Sequence, residues 1–273
     1  MNITKAIIPI AGWGTRRLPI TKSIEKYMLP IGNRPVIDYV VDDCIKAGIT
    51  DIYFVIREQN NQLRSYYEPN VELNEYLRKT GKTDYIKLIT PPKIRMHYIE
   101  QIKNGKSGSA IPVSQLSSLI QKDESVLVVM GDDCIYRKDG LSDLGRLIKV
   151  ANGNSAILGT VVDHKDVSKY GVLEINNNNE LVSITEKPQP DESPSDMVNV
   201  SKYVLNHDLL QMVDQYVKSV TTSEEYYITD PINQYISSGG TMKVVMAEGI
   251  YLDVGTVESW LKANQIVVGD TSI

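Results

Sequence analysis

Apolar residues fall in short blocks through the first half of the chain, and stretches with helical spacing separate the blocks. Residues 6–10 read as a buried strand. Val36, Ile37, Val40, Val41, Cys44 and Ile45 then recur on one helical face and stop at Ala47 and Gly48, a helix terminus signal. Residues 51–56 predict a second strand. Residues 62–79 predict one or two amphipathic helices closed by Gly81. Residues 96–99 predict a third strand, 109–119 a helix and 125–130 a very apolar fourth strand. Strands alternating with helices predict a parallel sheet with right-handed crossovers. Such sheets carry their sites beyond the carboxyl ends of the strands.

The second half has a different rhythm. Residues 156–162, 171–175 and 181–185 predict closely spaced strands, with a turn at the four asparagines 176–179. Residues 189–195 read as a loop rich in Pro, Asp and Ser. A short strand at 203–205, a helix near 208–217, a strand at 242–246 and a final helix from Val257 complete the pattern. The expected fold is α/β: a Rossmann-like, mostly parallel central sheet flanked by helices, with a smaller β-rich subdomain. No disordered linker separates the halves. One domain, 1–273, is therefore expected, in two halves, 1–150 and 151–273.

Charge narrows the partners. The chain has 273 residues, with 29 Lys and Arg against 34 Asp and Glu, for a net charge of −5. That balance argues against a general nucleic-acid or anionic-membrane surface, so any polyphosphate site must be a local cationic pocket. Cys44 and Cys134 make no disulfide framework. With neither an 18-residue apolar span nor a signal-peptide pattern, a cytoplasmic protein is expected.

The first strand runs into Ala11-Gly12-Trp13-Gly14-Thr15-Arg16-Arg17-Leu18-Pro19, and Glu25-Lys26-Tyr27-Met28-Leu29-Pro30 follows. Glycines let backbone N–H groups approach an anion, and Arg16, Arg17 and Lys26 add positive charge. Bulky Arg17 stands where a dinucleotide fold wants a small residue, and no Gly-Lys-Ser/Thr closes the loop as a Walker motif would. Trp13 has two readings, stacking on a ligand or packing inward. Further on, Gln101 ends the third strand ahead of Gly105-Lys106-Ser107-Gly108; a side-chain amide suits a pyrimidine edge. Four apolar residues, Val126 to Val129, lead through Met130 into Gly131-Asp132-Asp133, and Asp253 lies in Tyr251-Leu252-Asp253-Val254-Gly255-Thr256. Carboxylates at strand ends suit Mg²⁺, which takes one or two of them plus phosphate oxygens. The histidines are dispersed, so zinc is not indicated.

Gly-x-Gly-Thr-Arg, Leu-Pro, Lys26 and Met-Leu-Pro together resemble the signature of sugar-phosphate nucleotidyltransferases, especially the bacterial UTP–glucose-1-phosphate uridylyltransferases, and the resemblance extends along nearly the whole chain. It implies transfer of a uridylyl group from UTP to glucose 1-phosphate, with Mg²⁺ as cofactor and a homo-oligomeric state, dimer or tetramer. It implies a triphosphate cradle of Ala11, Gly12, Gly14, Thr15 and Arg16. Arg16, Lys26 and Asp132 would be catalytic, Gln101 and Gly108 would hold the base, and Asp132 and Asp253 would share the metal. Gly171, Glu186, Lys187 and Glu225 would bind the sugar phosphate; Thr229 and Asp230 are expected to cap the next helix.

Residues 72–83 resemble a helical insertion of the uridylyltransferases. The chain departs from the family pattern at Glu25 (usually Pro), Lys106 (Gly), Asp196 (Asn) and Ser201 (Gly). Asp253-Val-Gly-Thr is closer to the thymidylyltransferases. A dTTP-using enzyme and a weakly catalytic nucleotide-sugar binding module therefore stay open beside the first reading; a nicotinamide dehydrogenase is remote.

Overall fold

β1 (Lys5–Pro9) lies at the centre of the sheet, with Ile7 and Ile8 fully buried on its opposite faces. The protein is described from a computed structural model, covering residues 3–58, 61–222 and 225–270. Three short 3-10 turns, Thr15–Arg17, Ile20–Lys22 and Lys26–Met28, follow β1. The small hairpin β2 (Pro30–Ile31) and β3 (Arg34–Pro35) leads into α1 (Val36–Lys46), which buries the expected apolar face. β4 (Asp51–Ile56) pairs parallel with β1. The 62–79 stretch forms two helices, α2 (Gln62–Tyr67) and α3 (Val71–Lys79), because Pro69 interrupts the run. β5 (Arg95–Glu100) pairs parallel with β4. α4 (Ala110–Gln115) is shorter than expected, the remainder becoming a 3-10 turn at Ser117–Leu119. β6 (Ser125–Val129) pairs parallel with β1 on its other side. The order β6-β1-β4-β5 is the parallel unit that the apolar blocks predict.

The second half extends the same sheet and adds a small one. β7 (Asp133–Tyr136) and α5 (Asp143–Ala151) were not among the expected elements. β8 (Ser155–Val161), β9 (Gly171–Ile175) and β10 (Leu181–Glu186) agree with expectation. Asn176 N–H bonds to the Glu180 carbonyl at 2.9 Å, closing the asparagine turn between β9 and β10. β11 (Met197–Asn206) is ten residues long where a short strand was expected. α6 (His207–Ser219), α7 (Thr229–Ser237), β12 (Met242–Met246), β13 (Ile250–Asp253) and α8 (Val257–Asp270) follow. The path β10-β9-β11-β6-β1-β4-β5 is one sheet, with β8 branching from β11 and β12 from β8. β11 runs antiparallel to β6. β7 and β13 make a separate antiparallel pair that sets Asp253 opposite Asp133.

Apolar clusters cover both faces of the sheet. One gathers Ile8, Val40, Leu127 and Val204; the other gathers Ile7, Val128, Tyr203 and Leu209. Among the described residues no helix is long and apolar enough to cross a membrane.

Asp43, on α1, is largely buried beside Asp143. Burial raises its carboxyl to about 6, against the pull of Ser142 and Lys202. A carboxyl raised above its unfolded value of about 3.9 favours folding fully only below that value, and its penalty builds as pH climbs through the folded pKa. Asp43→Asn is therefore expected to match wild-type stability near pH 4 and to exceed it by about 1–3 kcal/mol above pH 7. Urea titrations across that range check the difference, and a flat difference would contradict it.

Candidate active site

The carboxyl ends of β1, β4, β5 and β6 lie along one edge of the sheet, and the loops from that edge carry the expected chemistry. The loop after β1 is held shut by its own backbone. Arg17 N–H bonds to the Gly14 carbonyl at 2.9 Å, and the Thr21 hydroxyl donates to the same carbonyl at 2.8 Å. Gly14 has φ +68°, and a Cβ there would stand 3.1 Å from both Lys26 Cβ and Thr21 Cγ2. Only glycine meets both demands. Gly12, Thr15 and Arg16 remain exposed on the loop.

The Lys26–Met28 turn brings Lys26 beneath the loop. Its Nζ lies 2.5 Å from Asp132 Oδ2 and faces Gly12, where a Cβ would sit 3.6 Å from the same nitrogen. Burial pushes the Asp132 carboxyl up. The Lys26 charge and hydrogen bond, with Lys202 behind, more than offset this and hold it below the usual carboxylate range. Asp253 enters from β13. Its Oδ1 accepts the Gly255 N–H at 2.7 Å, and a Cβ on Gly255 would sit 3.5 Å from Arg16 Nη2. Lys26 with Asp132, and Arg16 with the Asp253–Gly255 turn, thus form two pairs, and both aspartates lie near enough to Arg17 to favour its charged form.

Asp133 has a different occupation. It forms a buried ion pair with Lys202 and accepts the Tyr251 hydroxyl at 3.1 Å. Burial raises its carboxyl to about 6, with Lys202 opposing. Lys202 itself is 1% exposed and also donates to the Val200 carbonyl at 2.9 Å. Among the described residues no three His, Cys, Asp or Glu side chains form a metal cluster. Asp132 and Asp253 supply two hard oxygen donors, the set Mg²⁺ uses together with phosphate oxygens.

Arg17 is not part of an exposed cationic rim. It is 3% exposed, its guanidinium sits 5.8 Å over the Trp260 ring, and its Nε and Nη2 have no hydrogen-bond acceptor among the described residues. Burial disfavours its charged form while Asp253 and Asp132 favour it, and buried N–H groups left without acceptors cost about 1–3 kcal/mol each. Arg17→Met is expected to raise Tm; a lower Tm would show that the guanidinium is a net stabiliser.

A cavity of about 180 Å³ is bounded by Met130, Gly171, Glu186, Ser201, Tyr203 and Thr229. Gly171 pairs with Glu186 across β9 and β10. Glu186 Oε1 accepts the Thr229 hydroxyl at 2.8 Å. Asn199 Nδ2 donates to the Tyr203 hydroxyl at 2.6 Å. Burial raises the Tyr203 phenol, and the adjoining Asn199 and Ser201 side chains oppose that rise. Lys187 is exposed and does not line the cavity; its ammonium lies 5.9 Å over the ring of Tyr227, which does line it.

Several expectations change. Glu225 is exposed and does not line this cavity, because the chain turns inward only at Tyr226. Thr229 and Asp230 do not cap α7: Ile228 is its N-cap residue, Thr229 turns to Glu186, and Asp230 accepts the Tyr216 hydroxyl at 2.5 Å. Tyr227 and Thr229 line the cavity; the sequence singled out Thr229 only as a helix cap and did not single out Tyr227. Trp13 is 73% exposed, with the Arg57 guanidinium 4.1 Å over its ring, so it does not pack inward.

Glu25 is paired with Arg57 at 3.5 Å and accepts the Tyr27 hydroxyl, which neutralises its charge. Lys106 points to the Val217 carbonyl and the Tyr226 ring. Asp196 lies on the surface against His164 at 2.7 Å. Gln101 follows β5, its N–H bonded to the Ile56 carbonyl at 2.8 Å. Gly108 abuts the backbone of Tyr226. A larger cavity of about 520 Å³, between Arg34, Asp38, Tyr66 and Leu88, contains none of the expected site residues.

Comparison with known proteins identifies the family. Residues 5–268 match the family described as nucleotidyl transferase. The chain is 31% identical to UTP–glucose-1-phosphate uridylyltransferase of Escherichia coli K12, over 96% of this chain and 89% of that protein. The enzyme of the same name from Streptococcus pneumoniae is 30% identical over the same shares, 96% and 89%. A UTP-bound UGPase from Acinetobacter baumannii superposes with a TM-score of 0.85 at 27% identity, covering 99% of this chain and 95% of that one.

Proposed function

This chain belongs to the nucleotidyl transferase family, and we propose that it transfers a uridylyl group from UTP to glucose 1-phosphate, releasing pyrophosphate and UDP-glucose. Support for the reading comes from the Lys26–Asp132 pair and the Asp253–Gly255 turn beside Arg16, together with a polar cavity bounded by Gly171 and Glu186. The names borne by the E. coli and S. pneumoniae relatives, and the UTP bound to the A. baumannii protein, support the choice of substrates.

In this reading a phosphate oxygen of glucose 1-phosphate attacks the α-phosphorus of UTP in line, and the bond to pyrophosphate breaks. The nucleophile is already anionic, so no general base is required. The protein positions two anions and neutralises their repulsion. Backbone N–H groups of residues 11–16 and the Arg16 guanidinium would hold the triphosphate, and Lys26 would offset charge at the reacting centre. Gln101 and Gly108 would border the uracil. Glu186, oriented by Thr229, would accept sugar hydroxyls, while Lys187 would meet the sugar phosphate. Asp132 and Asp253 would hold Mg²⁺, which supplies further charge neutralisation between the phosphates.

A pyrophosphate-release assay with glucose 1-phosphate, run side by side with UTP and dTTP and with and without Mg²⁺, tests the reading. Mg²⁺-dependent release favouring UTP is expected. Preference for dTTP would move the chain to the thymidylyltransferases, in line with Thr256 after Gly255. Tight UDP-glucose binding without turnover would make it a binding module. Glu186→Gln keeps the shape of the side chain and removes its charge. It is expected to raise KM for glucose 1-phosphate about 10–100-fold with KM for UTP unchanged, since hydrogen bonds to charged groups contribute about 1.5–3 kcal/mol. An equal rise in both KM values would place Glu186 outside the sugar site.

A further inference from the structure

Among the described residues, four non-glycine residues have positive φ. Asn152 and Asn179 are the residue type that tolerates this region, at a helix end and a turn. The other two are Lys187 (φ +48°) and Ser201 (φ +56°); Ser201 lines the 180 Å³ cavity, and Lys187 follows Glu186, which lines it. Outliers of this kind cost about 1–3 kcal/mol and persist where surrounding structure enforces them, often at functional sites. Lys187 already has a place in the proposed reaction; Ser201 has none.

Ser201 is enforced from three sides. It sits inside β11 where the register against β8 shifts between Asn199 and Tyr203, a bulge. Its N–H bonds to Asn199 Oδ1 at 2.8 Å, and its carbonyl accepts the Met130 N–H at 3.1 Å. Bulges beside active sites re-aim a side chain. Here the residue after the bulge, Lys202, turns into the core toward Asp133, while Ser201 joins the cavity wall with Asn199 and Tyr203. Glu186 and Thr229 belong to the same lining. A space worth about six water volumes thus carries the hydroxyls of Ser201, Tyr203 and Thr229, the Asn199 amide and the Glu186 carboxylate. That lining suits the ring of an unmodified hexose.

We propose that Ser201 is a specificity-determining residue for the sugar 1-phosphate, its hydroxyl reading a ring hydroxyl while its Cβ limits the depth of the cavity. This rests on the uridylyl-transfer reading above. The inference predicts discrimination in favour of glucose 1-phosphate over its 2-acetamido counterpart, whose substituent replaces a small hydroxyl with a bulky amide.

Two variants separate hydroxyl chemistry from backbone conformation. Ser201→Ala keeps the strained Cβ and loses the hydroxyl; Ser201→Gly loses both. Each is expected to raise KM for glucose 1-phosphate about five- to tenfold, the loss of one neutral hydrogen bond, with KM for UTP unchanged. Ser201→Gly is also expected to narrow the preference over N-acetylglucosamine 1-phosphate and to raise Tm by about 2–4 °C. A merely structural role would move Tm and leave the KM values and the sugar preference alone. Wild-type turnover with Ser201→Ala kinetics unchanged would overturn this inference only; absence of wild-type turnover with any sugar 1-phosphate would remove the underlying reading and this inference together.

Discussion

Replacing Lys26 with alanine is expected to lower kcat by roughly two to three orders of magnitude, the loss seen when one preorganised charge-stabilising donor is removed. The reason is placement. Lys26 Nζ sits against Asp132 and under Gly12, so one ammonium faces both the loop proposed to hold the triphosphate and the carboxylate proposed to hold the metal. In the phosphate-bound enzyme its charge would act where negative charge moves from the α-phosphorus to pyrophosphate. The stability cost should be small. Both side chains keep about a quarter of their surface in water, 26% for Lys26 and 24% for Asp132, and ion pairs at such exposure contribute about 0–1 kcal/mol. Steady-state pyrophosphate release read beside a thermal melt checks both halves. An alanine variant keeping more than about a tenth of wild-type kcat would remove Lys26 from the reacting centre.

Gly108→Ala is expected to be the most damaging single change to the fold in this region, at about 2–5 kcal/mol. Two costs combine. Gly108 has φ +128°, which side-chain-bearing residues rarely adopt, and a Cβ there would lie within 3.0 Å of the Tyr226 backbone nitrogen and oxygen. The Tyr226 segment has nowhere to retreat. Its N–H bonds to Ser107 at 2.8 Å and its carbonyl to the Ala110 N–H at 2.9 Å. Its ring is 4% exposed against Tyr216, and its hydroxyl reaches the Val220 carbonyl at 2.9 Å. Gly108 therefore has a packing reason to be glycine besides the expected approach of a base. Urea unfolding measures the loss, and a midpoint within error of wild type would show that the two segments separate freely.

The parallel unit was legible because its strands are mostly apolar: in residues 6–10, 51–56 and 125–130 the one charged side chain is Asp51, at a strand start. The loop after β1 was equally legible, since Gly14 and its neighbours are required by backbone geometry. What escaped reading has identifiable causes. β11 looked three residues long because Ser201 and Lys202 break the alternation, yet Lys202 is 1% exposed and satisfied by Asp133. An ion pair between β7 and β11 cannot be seen from either strand alone. α5 carries Gly145 in its first turn, which weakens its helical pattern; its Ser142 N-cap, whose Oγ accepts the Gly145 N–H at 2.8 Å, was the available signal. β7 and β13 are four residues each, too short for a period, although their pairing is what brings Asp253 beside Asp133. Glu225 was assigned by motif and falls outside the cavity because a motif position fixes neither side-chain direction nor burial.

A crystal structure of the protein with UDP-glucose and Mg²⁺ tests the shared site most directly. The account predicts the diphosphate over residues 11–16, uracil beside Gln101 and Gly108, glucose between Gly171, Glu186 and Ser201, and one ion touching both Asp132 and Asp253. Ligand density in the cavity between Arg34 and Leu88, or two separate ions on the two aspartates, would contradict it.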